Sequence, residues 1–156
     1  VWSPAGFFIY GEAMVMNFPS LVASLFLCLT LPLIAAEDPS LLQQGEALLS
    51  EGKLPEALAI LQQAVVAEPN SSRAFQRLGG AQLMSQDYRT SIQSFQRAIS
   101  LDANNADAFV GMAMAYLHGG HYGQARSALE EAKRIDPAKQ DKIDEVIAWI
   151  DKRADQ

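Results

Sequence analysis

Apolar and small residues along this chain recur in steps of 34 positions. Leu41 leads to Phe75 and Phe109, Leu61 to Phe95 and Leu129, and Ala64 to Ala98 and Ala132. Gly45 leads in the same way to Gly79 and Ala113, and Pro69 to Ala103 and Pro137. The register holds without a gap, which chance coincidence of apolar residues would not produce. Each step predicts two antiparallel helices: roughly 40–50 with 55–67, 73–85 with 89–101, and 107–118 with 123–135. Gly45, Gly79 and Ala113, expected opposite Ala57, Ser91 and Ala125, let paired helices approach closely. Leu61, Phe95 and Leu129 then fill the space toward the next pair. Pro69 and Pro137 stop the second helices because proline cannot continue the hydrogen-bond ladder. Pro55 falls in a first turn, where its missing N–H costs little. Gly52 and Gly119-Gly120 are the expected tight turns.

Beyond Pro137, Ile143, Val146, Ile147 and Ile150 fall at i, i+3, i+4 and i+7, with charged residues elsewhere. That stripe predicts an amphipathic helix over 139–153 that covers the last pair, since a repeat cannot bury its apolar face alone.

These positions resemble the tetratricopeptide pattern of an aromatic residue, Leu-Gly, Tyr, then Ala, a bulky residue and Pro. The third repeat carries it most fully, in Phe109, Met112, Ala113, Tyr116, Gly120, Tyr122, Ala125, Leu129, Ala132 and Pro137. The second reads Phe75, Leu78, Gly79, Tyr88, Ser91, Phe95, Ala98, and the first Leu41, Gly45, Leu48, Gly52, Ala57, Leu61, Ala64, Pro69. Gln44, Gln82 and Ala103 depart from it. The expectation is an all-α solenoid of three tetratricopeptide helix-turn-helix repeats (38–71, 72–105 and 106–139) plus a C-terminal capping helix (139–153).

The charge distribution divides the chain. Of its 18 acids only Glu12 precedes Ala36, and all 12 Lys and Arg follow it. The acidic balance of the body argues against a nucleic-acid partner, which calls for a basic face. Phe18 to Ala36 is uncharged, Pro32 interrupts it, and Ala35-Ala36 precede acidic residues, a pattern that fits a secretory signal cleaved after Ala36. The alternatives are a membrane anchor through residues 18–36 and a buried N-terminal helix. Met14 or Met16 can serve as the start, the preceding residues then being a gene-start artefact. An exported, periplasmic or secreted body is expected, or one tethered with its repeats outside the cytoplasm. The single cysteine, Cys28, lies in this head, so the body has no disulfide, thiolate metal site or cysteine nucleophile.

Little in the body points to catalysis. His118 and His121 flank Gly119-Gly120 without a patterned third ligand, and read as solvated turn residues. No phosphate loop, nucleophile elbow or zinc helix motif appears. Glu130-Glu131 and Asp144-Glu145 read as solvent-face charge. No enzyme, cofactor or metal is expected.

The resemblance implies a concave groove lined by first helices. Carried onto this chain, its partner-facing positions are Leu42, Glu46, Leu49 and Ser50; Arg73, Gln76, Gly80, Leu83 and Met84; and Asp107, Val110, Met114, Leu117 and His118, with Arg77 beside Arg73. Family members that hold a peptide carboxylate use Lys and Asn where this chain has Leu42 and Glu46, Gln76 and Gly80, Val110 and Met114. The groove therefore reads as apolar and partly acidic, with Arg73 and Arg77 its basic pair, suited to a helix or extended apolar peptide. A non-catalytic protein-interaction adaptor is expected; a self-assembling homo-oligomer and an accessory subunit of an enzyme complex are the alternatives.

Overall fold

The computed structural model describes residues 39–154; the apolar head, including residues 18–36, lies outside the described residues. The described chain forms seven α-helices and no strand: α1 (Leu41–Ser50), α2 (Leu54–Ala67), α3 (Ser72–Met84), α4 (Tyr88–Leu101), α5 (Ala106–His118), α6 (Tyr122–Ile135) and, after a 3-10 turn (Pro137–Lys139), α7 (Gln140–Ala154). Every helix end lies within one residue of its sequence-based expectation. Each helix packs on the next, and α3 also touches both α1 and α5. The result is an all-α solenoid with α7 laid over α6.

Alanine dominates where helices meet. Ala57, Ala74, Ala81, Ala98, Ala108, Ala113, Ala115, Ala125 and Ala132 are all fully buried. Small side chains bring helix axes together, and larger ones then plug the remaining space. Leu61 fills the first such gap with Leu78 and Ala81. Phe95 fills the second with Ala98 and Ala108, and Leu129 the third with Ala125 and Ala132. Burial of each plug contributes roughly 1.5–3 kcal/mol, more than the ~1 kcal/mol of a typical cap. Packing, rather than capping, therefore holds the stack.

The predicted close approaches are present, with a sharper partner than expected. A Cβ at Gly45 would meet Leu61 at 2.6 Å, and one at Gly79 would meet Phe95 at 3.0 Å. The glycines thus admit the bulky plug, not merely the small residue one turn earlier. Ser91 is fully buried and donates to the Gly79 carbonyl at 2.8 Å, as its placement opposite Gly79 required.

The three turns within helix pairs share one geometry. Lys53, Asp87 and His121 N–H groups donate back to the carbonyls of Leu48, Gln82 and Tyr116, at 2.9, 3.0 and 2.8 Å. This closure needs a left-handed residue just before the donor. Gly52 and Gly120 supply it at φ 76°, and Gln86 adopts φ 65° at the equivalent place. Gly119 has an ordinary right-handed φ of −79°, so only Gly120 of that pair uses a glycine's freedom.

Helices stop alike with or without proline. α4 ends before Ala103 because Asp102 turns away in an extended conformation and its carboxylate accepts the Asn104 N–H at 2.9 Å. Asp136 accepts from Ala138 in the same manner ahead of the cap. In α7, Ile143 and Ile150 are the deeply buried members of the stripe, while Val146 and Ile147 are half-buried. Ion pairs Lys133–Asp144 and Arg126–Asp151 flank it. Asp144 thus keeps part of its surface in solvent, as its position suggested, while pairing with Lys133.

Candidate functional site

Helices α1, α3 and α5 lie side by side, and residues one turn apart on each form one stripe. On α3 that stripe runs through Arg73, Arg77, Gly80 and Met84. It begins in a charge cluster rather than in isolated charges. Glu46 from α1 accepts from Arg73 Nη2 at 2.9 and 3.0 Å and from Arg77 Nε at 2.7 Å. Partial burial raises the Glu46 carboxyl, but hydrogen bonds and charge from Arg77 and Arg73 outweigh it and hold the group below the ordinary carboxylate range. One carboxylate thus answers two guanidiniums, and the cluster keeps one net positive charge.

Other expected lining residues are shared with the core. Leu42 and Leu49 pack on the Leu61 cluster, and Val110 and Leu117 on the Leu129 cluster. Gln76 is tied down as well. Asn105, whose side-chain oxygen caps α5 by accepting the Ala108 N–H, uses its amide to donate to Gln76 Oε1 and Ser72 Oγ, each at 3.0 Å. Ser72 in turn donates to the Ala98 carbonyl at 2.9 Å. One asparagine therefore links α3, α4 and α5.

Accessible apolar surface remains at the far end of the stripe. Met84 is 59% exposed, with Leu83 and Met114 half-buried on α3 and α5. The half-buried Gly80 has open space where a Cβ would stand. Ser50 is exposed at the end of α1. Asp107, at the start of α5, is met by Lys139 Nζ at 3.1 Å.

Both histidines are exposed, as expected, and each also meets an aromatic ring. His118 stacks on Tyr88 of α4, with ring centroids 5.2 Å apart and planes within 6°. His121 meets the edge of Tyr116 at 6.2 Å. Among the described residues, no three His, Cys, Asp or Glu side chains come together as a metal cluster would require.

Two features escaped the sequence reading. Tyr88–His118 joins residues thirty apart, a separation that no single-helix pattern exposes. Gly111 sits mid-helix in α5, where a Cβ would overlap the buried Phe95 ring. An isolated glycine inside a helix is the kind of signal that points to such a contact, because it costs about 1 kcal/mol relative to alanine.

Comparison with known proteins places this geometry. Two sequence models, each described as tetratricopeptide repeat, match residues 42–106 and 82–150, and together they reach from α1 into α7. The human PEX5-related protein is 29% identical over 99 residues, which is 64% of this chain but only 16% of that relative. The type III secretion chaperone SycD of Yersinia enterocolitica, in complex with a peptide of the translocator YopD, superposes with a TM-score of 0.68. It is 20% identical, covering 73% of this chain and 92% of that one. The first TPR of Spaghetti (RPAP3), bound to an HSP90 peptide, gives a TM-score of 0.71 at 15% identity, covering 74% and 91%. With both sequence models and the helical stack in agreement, this chain is a tetratricopeptide repeat protein.

Proposed function

We propose that the protein is a non-catalytic adaptor whose α1–α3–α5 face holds an apolar helix or extended peptide of a partner protein. The observation that carries this reading is the exposed Met84 on α3, with half-buried Leu83 on the same helix and Met114 on α5, on a face whose acids Glu46 and Asp107 are both paired. A methionine-containing surface adapts to imperfect apolar shapes. SycD and Spaghetti, which share the fold, are each seen with a peptide, and that supports the class of partner without naming it. The proposal includes a setting outside the cytoplasm, with or without a membrane tether through residues 18–36. That part rests on the uncharged run from Phe18 to Ala36 and on the cysteine-free body. No helix among the described residues is long and apolar enough to cross a membrane.

The test is affinity capture from an envelope extract with the wild-type protein, Met84→Asp and Met114→Asp. Met84→Asp changes an exposed side chain, so its melting temperature should stay close to wild type while captured partners are lost. Identical partner lists for all three proteins would remove the groove from the account. Sedimentation of the purified chain separates the adaptor from a self-assembling protein, which would associate as concentration rises.

A further inference from the structure

The second and third helix pairs carry a phenylalanine at the same place in the repeat, Phe75 and Phe109, with different residues around it. In the second pair Arg97 of α4 lies over the Phe75 ring, its guanidinium carbon 5.7 Å from the centroid. Ser94 of the same helix donates to Gln82 Oε1 of α3 at 2.7 Å. Thirty-four residues on, Phe109 stands with Met112 and Tyr116, and no arginine occupies the place of Arg97. Gly123 stands where α4 has Arg89, Ser127 where it has Gln93, Ala128 where it has Ser94, and Glu131 where it has Arg97. An open, mainly apolar cleft of about 470 Å³ results, with Glu131 on its rim. Arg134 donates to both oxygens of Glu131, from Nε at 3.0 and 3.1 Å and from Nη2 at 2.6 Å, and a Cβ at Gly123 would meet nothing.

We infer that this cleft is a second docking site, distinct from the α1–α3–α5 face, and that it receives an arginine side chain of a partner protein. The guanidinium lies on Phe109 as Arg97 lies on Phe75, and Glu131 answers its charge. The molecule itself holds an arginine over the equivalent ring, Phe75. Arginine satisfies both halves of the site, since its plane stacks on an aromatic face and its fork reaches a carboxylate. A purely apolar side chain would desolvate Glu131 without replacing its lost water. Glu131 has room for a second cation, because an ionised carboxylate offers about four acceptor positions. The hydrogen bond from Arg134 also holds it below the ordinary carboxylate range, against a smaller opposing effect of burial.

The experiment is an NMR titration of the full chain with N-acetyl-arginine amide, and with the neutral, equally shaped N-acetyl-citrulline amide. The arginine probe is expected to move the signals of Phe109, Met112, Gly123 and Glu131 and to leave those of Phe75 in place. Citrulline amide and the conservative Glu131→Gln variant should each bind about fivefold more weakly. Glu131→Arg, which rebuilds the cover of the second pair from within, should abolish the response while the helical circular dichroism stays unchanged. Equal shifts with citrulline, an undiminished response in Glu131→Arg, or movement of Phe75 equal to that of Phe109 would overturn the assignment.

Discussion

The second and third helix pairs follow one template, yet they solve its central packing problem with different residues. In the third, the plug is Leu129 and its neighbour on the first helix is Ala113, an ordinary fit of branched side chain on methyl. In the second, the plug is Phe95, and two glycines make room for it, Gly79 from its own pair and Gly111 from the next. The position equivalent to Gly111 one repeat earlier is Arg77, whose long side chain pairs with Glu46 of α1. A larger plug demands a smaller neighbour on the following repeat, so one substitution reaches across the boundary between units. Repeat proteins are often treated as sums of units and nearest-neighbour interfaces. Here the interface between the second and third units carries a specific steric pairing that the first interface lacks.

The sharpest way to break this comparison is to remove the plug. Phe95→Ala should destabilise the stack by about 3–5 kcal/mol, because the ring has no other group to collapse into its place. Gly111→Ala should lose less, since overlap with the ring costs about 1–3 kcal/mol while the better helix former returns up to about 1 kcal/mol. In a Phe95→Leu background the same Gly111→Ala change should turn neutral or stabilising. A double-mutant cycle in urea measures this sign change directly, and additivity of the two substitutions would refute the pairing.

A smaller effect sits in the turns. The first and third pairs place glycine at the left-handed position, and the second places Gln86 there. Gln86→Gly should raise stability by about 1 kcal/mol, and Gly120→Ala should lower it by a similar amount or a little more. Equal melting temperatures for Gln86→Gly and the wild type would show that the second turn is held in its conformation at no cost.

The smallest expected effect is electrostatic. The second pair is joined to the first by Glu46 with Arg73 and Arg77, and the third to its cap by Lys139 with Asp107. Glu46 has its folded-state pKa lowered from 4.5, so its contribution is fully present above that value and is lost as pH falls through the lowered one. Glu46→Gln should therefore flatten the acid side of the stability profile, by less than about 1 kcal/mol for a pair this accessible. The difference should shrink in high salt. A profile identical to wild type between neutral and acid pH would remove the cluster from the account of stability.

How much of this could be read beforehand depends on the distance over which each feature is encoded. The helices, their ends and the capping stripe were legible because each is set by local periodicity and by residues such as Pro69, Pro137 and Gly52. The groove was legible only as positions. Spacing places Glu46, Arg73 and Arg77 on neighbouring first helices, but it does not say that the three will close on one another. Nor does it say that Leu42, Leu49, Val110 and Leu117 divide their surface between face and core, or that Gln76 is held by Asn105. Those outcomes depend on rotamers and on the approach of helices far apart in sequence.

The sequence by itself determined the repeat, its period, the all-α solenoid and the position of the cap, because these follow from which residues suit a helix interior, a turn and a buried stripe. Only the tertiary structure decided which charges pair, which glycine answers which plug, and what lies against Phe75 and Phe109 in their two pairs. The physical reason is one of range. Helix formation is governed by neighbours within a turn or two, whereas Arg97 over Phe75 and Gly111 beneath Phe95 exist only once separate helices have been brought into contact.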